Sequence, residues 1–221
     1  MSEDLADSTI QIPLPKLTQL TIEQDLEKRI RSLINQKKRH SLKSYYKDRE
    51  DAIESFHRLL QRLRNNNLNT SDLKQALNDF NDLTGSLGER ELGVQNIDRL
   101  LENPHLKIMR SLRFLLFDET SPLRDRIDGL LTGNEHLVGG SLGFVSTMLF
   151  LHDSSRYNIY NSGVLRGLRT VLPDADTREA FTGEDYQLFN DLVKVFKDRF
   201  SLKNEEVEHV LWAIGRHQHE E

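Results

Sequence analysis

The chain contains no cysteine, which excludes disulfide frameworks, thiolate metal sites and cysteine nucleophiles and suits a reducing compartment. No apolar run approaches the roughly 18 residues that a membrane span needs. No basic segment followed by an apolar one opens the chain, as it would in a secretory signal. The expectation is a cytoplasmic protein that does not enter a membrane. Phosphate loops of the form GxxxxGK[ST] are missing, as are a PD-(D/E)xK nuclease pattern and any Ser/His/Asp spacing that could support nucleophilic catalysis. Eight histidines are present. His217 and His219 stand beside Glu220 and Glu221 at the very end, without a second cluster to complete a metal site. No catalytic residue, metal or cofactor is therefore expected.

What the chain does have is enough apolar material for a core. Its 221 residues are 37% hydrophobic and 29% charged, a globular balance. Apolar residues recur at helical spacing throughout: Leu26, Ile30, Leu33 and Ile34; Ile53, Phe56, Leu59, Leu60 and Leu63; Leu73, Ala76, Leu77 and Phe80; Leu106, Met109, Leu112, Leu115 and Leu116, expected to be buried; Tyr186, Phe189, Leu192, Val195 and Phe196. Nothing alternates with a period of two. The expected fold is all-α, a multi-helix orthogonal domain of nine or ten helices. Residues 1–20, with Pro13 and Pro15, read as an extended leader. Residues 21–64 read as a basic amphipathic helical extension, continuous or broken near His40 and Ser41. Residues 65–221 read as the helical domain. Pro104 and Pro122 are expected at first helical positions, with Ser121 as a cap, and Thr70 or Ser71 as the cap of the helix through Phe80.

Charge is unevenly spread. The net charge is −5, yet residues 28–49 hold nine Lys or Arg against the single acid Asp48, while residues 174–221 hold twelve acids against six bases. The tract Lys37, Lys38, Arg39, Lys43 and Lys47, interleaved with Tyr45 and Tyr46, is able to hold a nucleic-acid backbone and stack on it. It is equally able to be a solvated helix face.

The stretch around which the chain is organised runs from Leu137 to Leu168. A glycine-rich turn (Gly139, Gly140, Gly143) leads into an apolar helix, Leu142 to Leu151. A polar break at Asp153, Ser154 and Ser155 follows, then the phrase RYNIYN and another helix. The glycines suit a phosphate backbone lying against amide N–H groups at a helix start, or close helix packing. Tyr157 and Tyr160 offer rings to an unpaired or flipped base, or to the core. Asn161 is a candidate base-edge reader and also a candidate N-cap. Arg156, Arg166 and Arg169 gather near the bend, the last two on one helix face. They are candidate phosphate ligands or solvated residues.

The segment GGSLGFVSTMLFLHDSSRYNIYNSGVLRGLR, with FLLFDETSPLRDRIDGLL before it and EDYQLFNDLVKVFKDRFSLKNEEVEHVLWAI after it, resembles a helical region associated with modification-dependent restriction GTPases of the McrB type. It covers roughly Leu112 to Ile214. A more distant resemblance is to the helix-hairpin-helix of base-excision DNA glycosylases. Together these imply an all-α, DNA-binding scaffold with a glycine-turn helix-hairpin-helix-like element. Where a glycosylase would carry an aspartate near the bend, this chain has Asn161, and no lysine nucleophile stands at a hairpin position.

The leading expectation is thus a non-enzymatic, DNA-associated module related to restriction-type defence, working with a protein partner that supplies a motor or a nuclease. A second is a helical adaptor that self-associates or docks through residues 21–64. A third is a glycosylase acting on modified bases through another carboxylate, Asp153 being the candidate.

Overall fold

The helix from Leu142 to His152 is apolar on every side, and a helix without a polar face has to be enclosed by others. In the computed structural model, which describes residues 24–36, 40–84, 94–173, 175, 177 and 181–216, this helix (α7) buries nine of its eleven residues. Its two hydroxyl side chains, Ser146 and Thr147, are buried too, and both donate to the Gly143 carbonyl, at 3.0 and 2.8 Å. Three helices pack directly against α7: α2 (His40–Arg64), α5 (His105–Phe117) and α6 (Leu123–Leu131). The others are α1 (Gln24–Gln36), α3 (Thr70–Thr84), α4 (Val94–Leu101), α8 (Ser162–Val171), α9 (Gly183–Phe200) and α10 (Asn204–Arg216). The described residues contain no strand. The fold is all-α, and none of its described helices is long and apolar enough to cross a membrane.

Within residues 21–64 the described residues form α1 and α2, and residues 37–39 lie outside the described residues. Both contribute to the common core: Ile30 from α1, and Phe56, Leu59, Leu60 and Leu63 from α2, are buried. The stripe ends at Asn66, whose φ of 55° turns the chain. The next helix is capped one residue earlier than its hydroxyls suggest. Asn69 Oδ1 accepts from the Asp72 amide at 2.8 Å, a better reach than Thr70 or Ser71 has from inside the first turn. Pro104 and Pro122 also sit one place earlier than expected. Each is the residue before its helix, where its carbonyl accepts the first helical N–H bonds. Ser121 does not cap; its hydroxyl donates to Asp118 instead, at 2.9 Å.

Among the described residues the closest helix-to-helix approach joins α8 to α10. A Cβ on Gly167 would lie 2.0 Å from the Leu211 carbonyl oxygen, and one on Gly215 would lie 2.5 Å from that of Gly163. Backbone therefore rests on backbone with no side chain between them, which only glycine permits. The turn ahead of α7 uses glycine differently: Gly139 has a φ of 82°.

Candidate nucleic-acid interface

The RYNIYN segment is irregular backbone with a buried middle, so its polar groups need partners that no helix ladder supplies. Asp153 starts the bend. Its Oδ1 accepts from the Ser155 amide (3.1 Å) and hydroxyl (2.6 Å). Its carbonyl accepts from the amides of Arg156 and Tyr157. Beyond the bend, α9 takes over. Asn190 Oδ1 accepts from both the backbone amide (3.0 Å) and the side-chain Nδ2 (2.8 Å) of Asn158, and Asn190 Nδ2 donates to the Arg156 carbonyl at 2.9 Å. The Tyr186 hydroxyl donates to the Asn158 carbonyl at 2.9 Å. Burial pushes the Tyr186 phenol far above its ordinary range, so it stays a neutral donor. From α7, Ser146 Oγ accepts from the Tyr160 amide at 2.9 Å.

This clamp leaves a cavity of about 530 Å³ between the bend and α9. Three cations line it, Arg156, Lys194 and Lys197, with Asn158, Gln187 and Asn190 among the polar groups and Asp191 as the lone acid. Burial raises the Asp191 carboxyl, opposed by Lys194. Arg156 is exposed, lies 5.3 Å above the Tyr157 ring, and has its Nε 4.0 Å from the Asp153 carboxylate. Asn158 is buried, and its Oδ1 has no donor. The arrangement can hold an anion flanked by hydrogen-bonding groups. A cluster of His, Asp and Glu able to hold a metal ion does not occur among the described residues.

The residues singled out in the sequence do not form one patch. Gly139 and Gly140 stand at the start of α7 and Arg156 beyond its end, separated by a helix of eleven residues, about 16 Å. The turn is occupied with itself: Gly140 N–H donates to the Leu137 carbonyl at 2.8 Å and Ser141 N–H to that of Gly139 at 3.1 Å. Gly143 lies within α7, its carbonyl taken by Ser146 and Thr147. Tyr157 is only 6% exposed, and Tyr160 is half-buried, meeting Phe189 edge to face at 5.1 Å. Asn161 caps α8, accepting from the Val164 amide at 2.8 Å while its Nδ2 donates to Glu208 at 3.4 Å. Arg166 is half-buried with an unpaired Nε. Exposed Arg169 donates to the Thr177 carbonyl at 2.9 Å. Neither arginine lines the cavity. Lys37, Lys38 and Arg39 lie outside the described residues, and so does the side chain of Lys43.

Lys194, Lys197, Gln187 and Asn190 were not legible as site residues. They sit on the polar face of an ordinary amphipathic helix, and only the packing of α9 against the bend gathers them. Comparison with family models, curated proteins and solved structures gives no match to this chain.

Proposed function

We propose that this chain is a non-enzymatic, DNA-associated helical module that binds nucleic-acid backbone, with the RYNIYN bend and α9 as the contact. The observation that carries the reading is the convergence of Arg156, Lys194 and Lys197 on one cavity in a chain whose net charge is −5. Such local basicity on an acidic protein favours a polyanion at one place and repels it elsewhere. In this reading α6, the glycine turn and α7 act as a helix-hairpin-helix-like element that supports the bend, and α1 and α2 form an N-terminal helical extension. The basic tract from Lys37 to Lys43 adds a second backbone contact. The resemblance to restriction-associated regions makes the module a cytoplasmic accessory in DNA defence, with the motor or nuclease supplied by a partner protein.

The test is fluorescence-polarisation binding to labelled single- and double-stranded DNA. Three phosphate contacts predict a loss of roughly 20- to 40-fold in affinity between 50 and 200 mM salt. Arg156→Ala combined with Lys194→Ala should remove most of the binding and flatten the salt slope. Unchanged binding in that variant moves the contact away from the bend. Concentration-dependent self-association with no DNA affinity replaces this reading with the adaptor, and base release from modified DNA replaces it with the glycosylase.

A further inference from the structure

A second groove, of about 550 Å³, lies between the end of α2 and the outer face of α5. Its lining joins three arginines, Arg64, Arg110 and Arg113, to the apolar surface of Met109, Phe114 and Phe117. Leu106, at its edge, is 80% exposed. Two of the arginines are spent in part: Arg110 Nε is 2.9 Å from Glu135, and Arg113 donates to Asn66 Oδ1. Asp118 is the only acid in the lining. Its oxygens already accept from the amide and hydroxyl of Thr120 and the hydroxyl of Ser121.

Side-chain contacts and short stretches of chain link this groove to the cavity at the bend. The Arg64 guanidinium lies 5.1 Å over the Phe117 ring, which meets the His152 ring edge-on at 5.5 Å. His152 is followed directly by Asp153, the residue facing Arg156. Along the other wall, Asp118 lines the groove and Leu123 lines the cavity. The five steps of chain from Asp118 to Leu123 cannot span more than roughly 18 Å.

Resting on the reading above, we infer that the two concavities form one track that takes a single nucleic-acid strand long enough to reach from one concavity to the other. The polar cavity meets phosphates through Arg156, Lys194 and Lys197. The apolar groove takes base faces, with Arg64 and Arg113 at its cationic rim. A duplex hides its base faces in its own stack and gains little from Phe114, Phe117 and Leu106. An acidic peptide is the competing occupant for the groove, and the test includes it.

The experiment uses the full chain with fluorescein-labelled oligothymidylates of three, six and twelve nucleotides, a twelve-base-pair duplex, and polyglutamate as competitor. The twelve-mer should bind at least about tenfold more tightly than the three-mer and than the duplex. Arg64→Gln with Arg113→Gln should erase that length advantage while leaving the three-mer unchanged. Leu106→Ser, an exposed position, should weaken the twelve-mer only. A length advantage that survives Arg64→Gln/Arg113→Gln overturns the track but leaves the cavity at the bend standing. So does displacement of the twelve-mer by polyglutamate at matched charge, which assigns the groove to an acidic peptide. Absence of binding to every oligonucleotide overturns the nucleic-acid reading itself.

Discussion

The two ends of α7 solve the same problem in opposite ways. At its start, the chain closes on itself. Ser141 caps the helix by accepting from the Phe144 amide. The buried Asn103 side chain donates to the carbonyls of Leu100 and Val138 and accepts from the Val138 amide. The glycine turn makes its own hydrogen bonds. At its finish, the backbone is held by side chains from another helix, and that borrowed support opens a cavity walled by cations. The glycine-rich turn is thus closed by two hydrogen bonds of its own, and the charged concavity lies at the other end.

Asn103→Ala should have the largest effect, because three hydrogen bonds of a buried amide vanish, and the carbonyl and amide of Val138 lose this partner while the Leu100 carbonyl keeps only the Asn103 backbone amide. A loss of about 3 kcal/mol is expected in denaturant unfolding, with DNA affinity per folded molecule unchanged. Asn190→Leu strikes the other end. It should cost about 2 kcal/mol and, unlike Asn103→Ala, also lower DNA affinity, since the Arg156 carbonyl and the Asn158 amide lose their anchor. Equal effects of the two variants on affinity would erase the contrast between the ends. Ser141→Ala, which removes only a cap, should cost about 1 kcal/mol and leave binding alone.

The smallest effect is a pH dependence at the open end. Burial holds His152 below its ordinary 6.5, and the charges of His57, Arg64 and Arg126 act in the same direction, against Asp153. A group whose folded pKa is depressed binds its proton more readily in the unfolded chain. Its contribution to stability is therefore present above pH about 6.5 and declines as pH falls towards the folded value. His152→Phe should flatten the stability profile between pH 7 and 5; an unaltered profile would show that the ring is not the titrating group.

Helix number and type were legible because each helix carries its own apolar period, and that period is local. The enclosed α7 was legible from its unbroken hydrophobic run. Caps slipped by one residue where two adjacent polar residues competed, as at Asn69 and Thr70, since the choice depends on a turn geometry that the letters do not carry. The candidate site was legible only as far as Arg156 and Tyr157. Asn158 and Asn190, 32 residues apart, look like unremarkable polar positions until two helices meet. Gly139 and Gly140 are adjacent and conspicuous, whereas Gly163, Gly167 and Gly215 are scattered and matter because their helices cross.

That crossing bears on how the chain reaches its native state. The partner of α8 is the last described helix, and all of α9 lies between them. During synthesis, which adds residues at about 5–20 per second, α8 emerges before its partner exists and waits with a bare glycine stripe. The seam closes only when α10 has cleared the ribosome. A chain cut short before Leu211 should be able to assemble α2, α5, α6 and α7 yet leave α8 undocked, a species open to proteolysis after Asn161.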